Sequence, residues 1–199
     1  MPQVSIAALV SAAQAGQLIA FPTDTVPALA AVPDAAEKIY GAKQRPLEKP
    51  LILMAASAEE LWPFVCGDAS SRAIWEAVAA QHWPGAVTLV LPKGELLVRS
   101  FRVPTVVNPA TIGVRVPNWS LALEILKQTG PLATTSLNLS GQPPLENLHE
   151  IVQAFPSVLT PTAELWVLPS HPNRMPSTVA QWKGECWSIL RQGSVILEP

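Results

Sequence analysis

Residues 18–30 read "LIAFPTDTVPALA". An apolar run ends in Pro22-Thr23-Asp24-Thr25, and small, mostly apolar residues resume at once. The run "QLIAF" (17–21) reads as a buried strand. The two hydroxyls and the carboxylate that follow it admit two readings. Asp and Thr favour turns because their side chains bond to nearby backbone. A polar turn at the end of a central strand is also where α/β proteins hold their ligands.

Before this stretch, "SIAALVSAAQAGQ" (5–17) sets Ile6, Leu9, Val10 and Ala13 on one helical face, with Ser5 placed to cap and Gly16 to end it. After it, "DAAEKIYGAK" (34–43) predicts a short helix and "PLILMAA" (50–56) a second apolar strand. "SAEELW" (57–62) has Ser57 and Glu60 at capping-box spacing. "SSRAIWEAVAAQHW" (70–83) reads as a helix and "AVTLVLP" (86–92) as a strand, its apolar run broken only by Thr88. "TIGVRVP" (111–117) alternates as a strand with one polar side does. "SLALEILKQTG" (120–130) predicts a helix with Ser120 as cap and Gly130 as stop. "PLATTSLN" (131–138) is a strand ending in polar residues, "LENLHEIVQAF" (145–155) a helix, and the tail holds β segments near "ELWVLP", "STVAQW" and "WSILRQGSVIL". Helices alternating with strands argue an α/β sheet covered by helices, and the β-rich tail makes it a mixed sheet.

Composition narrows the function classes. Of 199 residues, 49% are hydrophobic and 14% charged, which fits one core-rich globular domain spanning 1–199. No run is long enough for a transmembrane helix, and "MPQVSIAALV" lacks the basic start of a signal peptide, so a cytoplasmic location without membrane contact is expected. Cys66 and Cys186 stand alone, as do His82, His149 and His171, so no protein-held metal is expected. Net charge is -2, so any nucleic-acid binding must come from a local patch. The seven tryptophans lie mostly in apolar periodic segments, which favours packing over base stacking, and Trp182 and Trp187 are placed to pair across a hairpin.

Four strand ends finish in polar residues: the 22–25 turn, Arg115, Ser136 with Asn138 and Ser140, and Arg191. If these strands are neighbours, the groups converge on one rim. Lys43, Arg45 and Lys49 in "KQRPLEKP" join Arg115 and Arg191 as five of 13 basic residues near strand ends. Cations beside hydroxyls suit a polyphosphate. Each of them alone also fits a solvated loop, a surface ion pair or a turn. Neither G-x-x-x-x-G-K-[ST] nor G-x-G-x-x-G occurs, and no side chain reads as an activated nucleophile.

Taken in order, "AGQLIAFPTDTV", "KQRPLEKPLIL", "HWPGAVTLVLP", "TIGVRVP", "PLATTSLNLSG", "STVAQW" and "ILRQGSV" resemble the YrdC-like family, the threonylcarbamoyl-AMP synthases, from about residue 5 to residue 197. The resemblance implies a YrdC/RibB-like fold, with a strongly twisted mixed β-sheet, helices outside and a concave basic groove. It implies a reaction of L-threonine, bicarbonate and ATP, with Mg2+ accompanying the nucleotide, that gives threonylcarbamoyl-AMP and pyrophosphate. A partner protein then modifies tRNA, and double-stranded RNA is a further implied ligand. By position, Arg45, Lys49, Thr111, Ser136, Asn138 and Arg191 fall at ATP contacts, and Thr23, Arg115, Thr134 and Ser177 near the amino acid. Lys43, Arg45 and Arg191 would neutralise charge as pyrophosphate leaves.

The chain departs from the family's Tyr-Gly-Leu-Gly at Pro27-Ala28-Leu29-Ala30. Met54 stands where many members have His, Leu137 where they have Ala, and Pro144 where a Ser approaches ATP. These changes are expected on the substrate-recognition side, and they fit a diverged relative such as the YciO branch. The alternative is thus a binding module for double-stranded RNA or a nucleotide, without the synthase reaction.

Overall fold

The computed structural model describes residues 3–100, 110–170 and 175–197; His171 lies outside these. In chain order the elements are β1 (Gln3–Val4), α1 (Ile6–Gln14), β2 (Ile19–Phe21), β3 (Ala28–Ala31), α2 (Glu37–Lys43), β4 (Ile52–Met54), α3 (Ala58–Leu61), α4 (Ala69–His82), β5 (Val87–Pro92), α5 (Glu95–Ser100), β6 (Thr111–Arg115), α6 (Ser120–Thr129), β7 (Leu132–Ser136), α7 (Leu148–Ala154), β8 (Thr160–Pro161), β9 (Thr178–Trp182) and β10 (Trp187–Arg191). Eight strands form one mixed sheet in the order β10-β9-β5-β6-β4-β7-β3-β2, and β1 pairs with β8 apart from it.

Local chemistry accounts for most boundaries. Ser5 accepts a bond from the Ala8 amide at the start of α1, and Gly16 takes a positive φ of 76° just past its end. Asp68 caps α4 by accepting from the Ser71 amide at 2.7 Å. Gly130 ends α6 at φ 73°. Two expected caps fail. Trp119 precedes α6 without a side-chain cap, so Ser120 lies inside the helix. Ser57 makes no cap bond into the single turn of α3, and its side chain bonds to Glu59 instead.

Three elements differ from the sequence expectation. Residues 28–31, whose small side chains carry no strand signature, form β3 because they pair with β2 on one side and β7 on the other. "ELWVLP" forms no strand: the Trp166 amide turns back to the Thr162 and Ala163 carbonyls, and β8 lies upstream instead. Helix α5 has no counterpart in the sequence reading.

The two faces of the sheet are covered unequally. One face is packed throughout. Leu53, Leu89, Val114 and Ala180 meet Trp75 of α4, Leu61 of α3 and Leu97 of α5 in one cluster, and Leu29 and Ala133 meet Ile39 of α2 and Ile151 of α7 in another. On the opposite face, α1 and α6 cover the β4-β7-β3-β2 end, where Phe21, Ala28, Ala30, Met54 and Leu132 pack against Leu9, Ile125 and Leu126. Among the described residues no helix covers the rest of that face, and the site lies there.

Candidate active site

The strand pairing sets which side chains share the open face. Register places Thr111, Gly113 and Arg115 of β6 beside Ile52 and Met54 of β4 and beside Thr88 and Val90 of β5. The same face carries Thr134 and Ser136 of β7 and Val179 and Gln181 of β9. These alternate residues line a cavity of about 580 Å³, which Arg45, Lys49, Ser177 and Arg191 also border. Gly113 keeps the floor low: a Cβ there would stand 2.7 Å from Ile52 Cγ2 and 3.2 Å from Thr88 Cγ2.

The polar strand ends therefore do not meet on one rim. Strand β7 runs antiparallel to β4, and β4 runs parallel to β6. Arg115 is level with Leu132, the first residue of β7, and Ser136 lies at the far end. The shared sheet face unites them, over about 13 Å along β6 at ~3.3 Å per residue.

At one end sits Arg115, 2% exposed. Its guanidinium donates to the Gly85 carbonyl at 3.0 Å, the Thr25 hydroxyl at 2.9 Å and the Asp24 carboxylate at 2.7 Å. Burial works against its charge, Asp24 offsets that, and Arg191 adds repulsion. Arg191 donates through Nε and NH2 to the Ser177 carbonyl, and through NH2 to the Ser177 hydroxyl at 3.2 Å. Ser177 in turn shares a 2.8 Å hydrogen bond with Thr88.

At the other end lie Arg45, Lys49, Thr111, Ser136 and Asn138. Gln44 ends α2 in the left-handed region at φ 50°, and the Arg45 amide returns to the Tyr40 carbonyl at 2.9 Å. Arg45 also donates to the Lys49 and Pro50 carbonyls, at 3.1 and 2.9 Å, which folds the basic loop back on itself. Lys43 is fully buried and does not line the cavity. Its ammonium donates to the Ser136 carbonyl and, at 2.8 Å, to Asn138 Oδ1. No carboxylate is among these partners. Burial first, then Arg45 and Lys49, push its pKa down to about 7.

Thr134 lines the cavity, and Thr23 does not. Thr23 is fully buried, and its hydroxyl donates to the Val26 carbonyl at 2.8 Å while accepting the Thr25 amide at 3.1 Å. It holds the turn that presents Asp24 and Thr25. The sequence reading placed Asp24 and Thr25 in a candidate ligand turn without giving either a role, and it did not single out Thr88 for the site. Thr88 had a signal: it is the one polar residue in "AVTLVL".

Four of the departures, Pro27, Ala28, Met54 and Pro144, line the cavity. Leu137 instead lies in the core with α2 and α7, and Ala30 packs under α1 and α6. Among the described residues no three His, Cys, Asp or Glu side chains gather as a metal-binding group, and no helix is long and apolar enough to cross a membrane.

The model of the Sua5, YciO and YrdC proteins, described as "Telomere recombination", matches residues 11–193. The chain belongs to this family. It is 38% identical over 148 residues to the threonylcarbamoyl-AMP synthase of Photobacterium profundum, covering 72% of this chain and 77% of that protein. It is 37% identical over 146 residues to the Pyrococcus abyssi threonylcarbamoyl-AMP synthase, covering 70% of this chain and 40% of that longer protein. The crystal structure of P. abyssi Sua5 complexed with L-threonine superposes with a TM-score of 0.78 at 30% identity, over 94% of this chain and 54% of that one. E. coli YciO shares the fold, with a TM-score of 0.76 at 24% identity over 95% of this chain and 89% of that one. The Sua5/YciO/YrdC sheet is thus the scaffold on which Arg115 and the 43–49 loop stand.

Proposed function

We propose that the chain is an L-threonylcarbamoyladenylate synthase that uses L-threonine, bicarbonate and ATP. The observation that carries this reading is the pairing of two unlike ends across one cavity: a buried guanidinium with hydroxyls at Arg115, and the cations Arg45 and Lys49.

A guanidinium has five N–H donors. Three bonds to protein are accounted for at Arg115, so the remaining donors serve the threonine carboxylate. Thr134 and Ser177 border the amino acid. The amino nitrogen attacks bicarbonate carbon and water leaves, which gives a carbamate. A carbamate oxygen then attacks the α-phosphorus, the bond to the bridging oxygen breaks, and pyrophosphate departs. No side-chain nucleophile is required, so catalysis is positioning plus charge stabilisation. Arg45, Lys49 and Arg191 take up the charge that develops on the phosphates, with Thr111, Ser136 and Asn138 as hydrogen-bonding neighbours. Mg2+ enters with ATP as part of the substrate. Lys43 acts through Ser136 and Asn138 as a positioning residue. The product feeds tRNA threonylcarbamoyladenosine formation by a partner protein in the cytoplasm.

Pyrophosphate release that requires both L-threonine and bicarbonate is the expected result. ATP binding without that dependence would favour a second reading, a module that binds double-stranded RNA or a nucleotide. Pro27 and Met54 favour it, because both line the cavity and neither offers a hydrogen-bond donor there. Salt-dependent RNA affinity that survives Arg191→Ala would support the module.

A further inference from the structure

A second cavity of about 580 Å³ opens on the helical side of the molecule, between α3, α4 and the loop after α4. Trp62, Trp83, Glu59 and Glu76 line it, with Pro84 and Val116 closing one wall. The two indoles are 5.8 Å apart with their planes tilted by 32°. They are held in advance: Trp83 donates its indole N–H to the Val87 carbonyl at 2.8 Å, and the Arg72 guanidinium sits 4.4 Å over the Trp62 ring.

Among the described residues, two carboxylates and no lysine, arginine or histidine line this cavity, and Arg72 beside it pairs with one of them, Glu76. Glu59 receives its own backbone amide and the Ser57 hydroxyl, which hold its carboxyl below the usual range, so it is ionised. Glu76 is engaged through Oε1 by Arg72 at 2.8 Å. The protein's own Arg72 therefore displays the chemistry of the site: a guanidinium between an indole face and a carboxylate. Indole faces and carboxylates together select cations with weak hydration and apolar stems.

We infer that this cavity is a binding site for an organic cation, a guanidinium or ammonium group on an alkyl stem. A free polyamine and an arginine or lysine side chain of a peptide both present that chemistry. Trp62 and Trp83 would flank the stem and head, and Glu59 would supply the counter-charge.

The test follows the indole N–H resonances of Trp62 and Trp83 while the full chain is titrated with N-butylguanidinium or with its neutral isostere N-butylurea. Saturable shifts with the cation and not the urea are expected. Glu59→Gln, a surface change that leaves the fold intact, weakens the affinity about fivefold, and Trp62→Leu about tenfold or more. Parallel titrations with spermidine and with an acetylated, amidated arginine peptide separate the two sources, and saturation by either supports the site. Equal binding of butylurea, no saturation by any cation up to about 10 mM, or affinity unchanged in both variants would overturn the inference.

Discussion

Arg115 on β6 and Asp24 in the 22–27 loop are 91 residues apart in sequence and 2.7 Å apart in space, guanidinium to carboxylate. The pair is almost wholly withdrawn from water, with side-chain exposures of 3% and 14%. It fastens the loop after β2 across the open sheet face and fixes the cation at one end of the cavity.

Removing the carboxylate leaves that cation buried and uncompensated. Asp24→Asn is expected to lower unfolding free energy by about 3 kcal/mol. Urea denaturation reads this as a lower midpoint at unchanged slope. A midpoint within error of the parent would mean that the guanidinium is compensated elsewhere.

Lys43 carries a pH signature. Its pKa is pushed down to about 7 in the folded chain, whereas an unfolded lysine titrates near 10.4. Between these values the unfolded chain holds more protons, so stability rises with pH through that window and is lowest below pH 7. Lys43→Met should flatten this rise between about pH 7 and 9.5 in midpoint-versus-pH curves. A parallel pair of curves would contradict the assignment. Nucleotide phosphates beside Arg45 and Lys49 should also raise the lysine's pKa. ATP binding near pH 8 is then accompanied by proton uptake, measurable as a buffer-dependent heat in calorimetry.

Gly113 leaves the floor no room for a methyl group. Gly113→Ala places Cβ 2.7 Å from Ile52 Cγ2, an overpacking expected to cost about 1–3 kcal/mol. Adding Ile52→Ala, which removes Cγ2 itself, should make the combined loss smaller than the sum of the two separate losses. Strictly additive effects of the two changes would show that they do not share the contact.

Arg45 both faces the cavity and bonds the Lys49 and Pro50 carbonyls, so its loss removes one cation and loosens another. Arg45→Ala should weaken ATP binding about tenfold to a hundredfold. Equilibrium titration with unchanged ATP affinity would remove this residue from the nucleotide end.

Thr88 tests the less obvious side of the site. It is 1% exposed and bonded to Ser177, the residue that anchors Arg191. Thr88→Val keeps the shape and deletes the hydroxyl. The expected outcome is a loss of about 1 kcal/mol in stability and a larger KM for the amino acid, with Arg191 less well held. Unaltered kinetics would assign the hydroxyl to packing alone.

Much of the scaffold was legible because burial imposes periodicity. The strands at 19–21, 52–54 and 87–92 stand out as short apolar runs, the strand at 111–115 alternates, and the helices at 69–82 and 120–129 repeat at about 3.6. Residues 28–31 were not legible, since alanines become a strand only when flanking strands supply the hydrogen bonds. "ELWVLP" failed in the opposite sense, because local turn bonds took the amides that its strand-like composition promised to a ladder. Trp182 and Trp187 pair across their hairpin with ring centroids 5.2 Å apart, as the intervening "KGEC" indicated.

The sequence by itself determined which side chains were on hand for the cavity: Arg45, Lys49, Arg115 and Arg191, with hydroxyls beside them. Tertiary structure alone decided how they are arranged. Strand direction put Arg115 and Ser136 at opposite ends of a sheet face rather than on a common rim. It also withdrew Lys43 and Thr23 from the cavity and brought Asp24, Thr25 and Thr88 into contact with its working groups. The reason is physical: side-chain chemistry is encoded one residue at a time, whereas which face, which end and which partner a side chain meets depends on pairing between strands far apart in the chain.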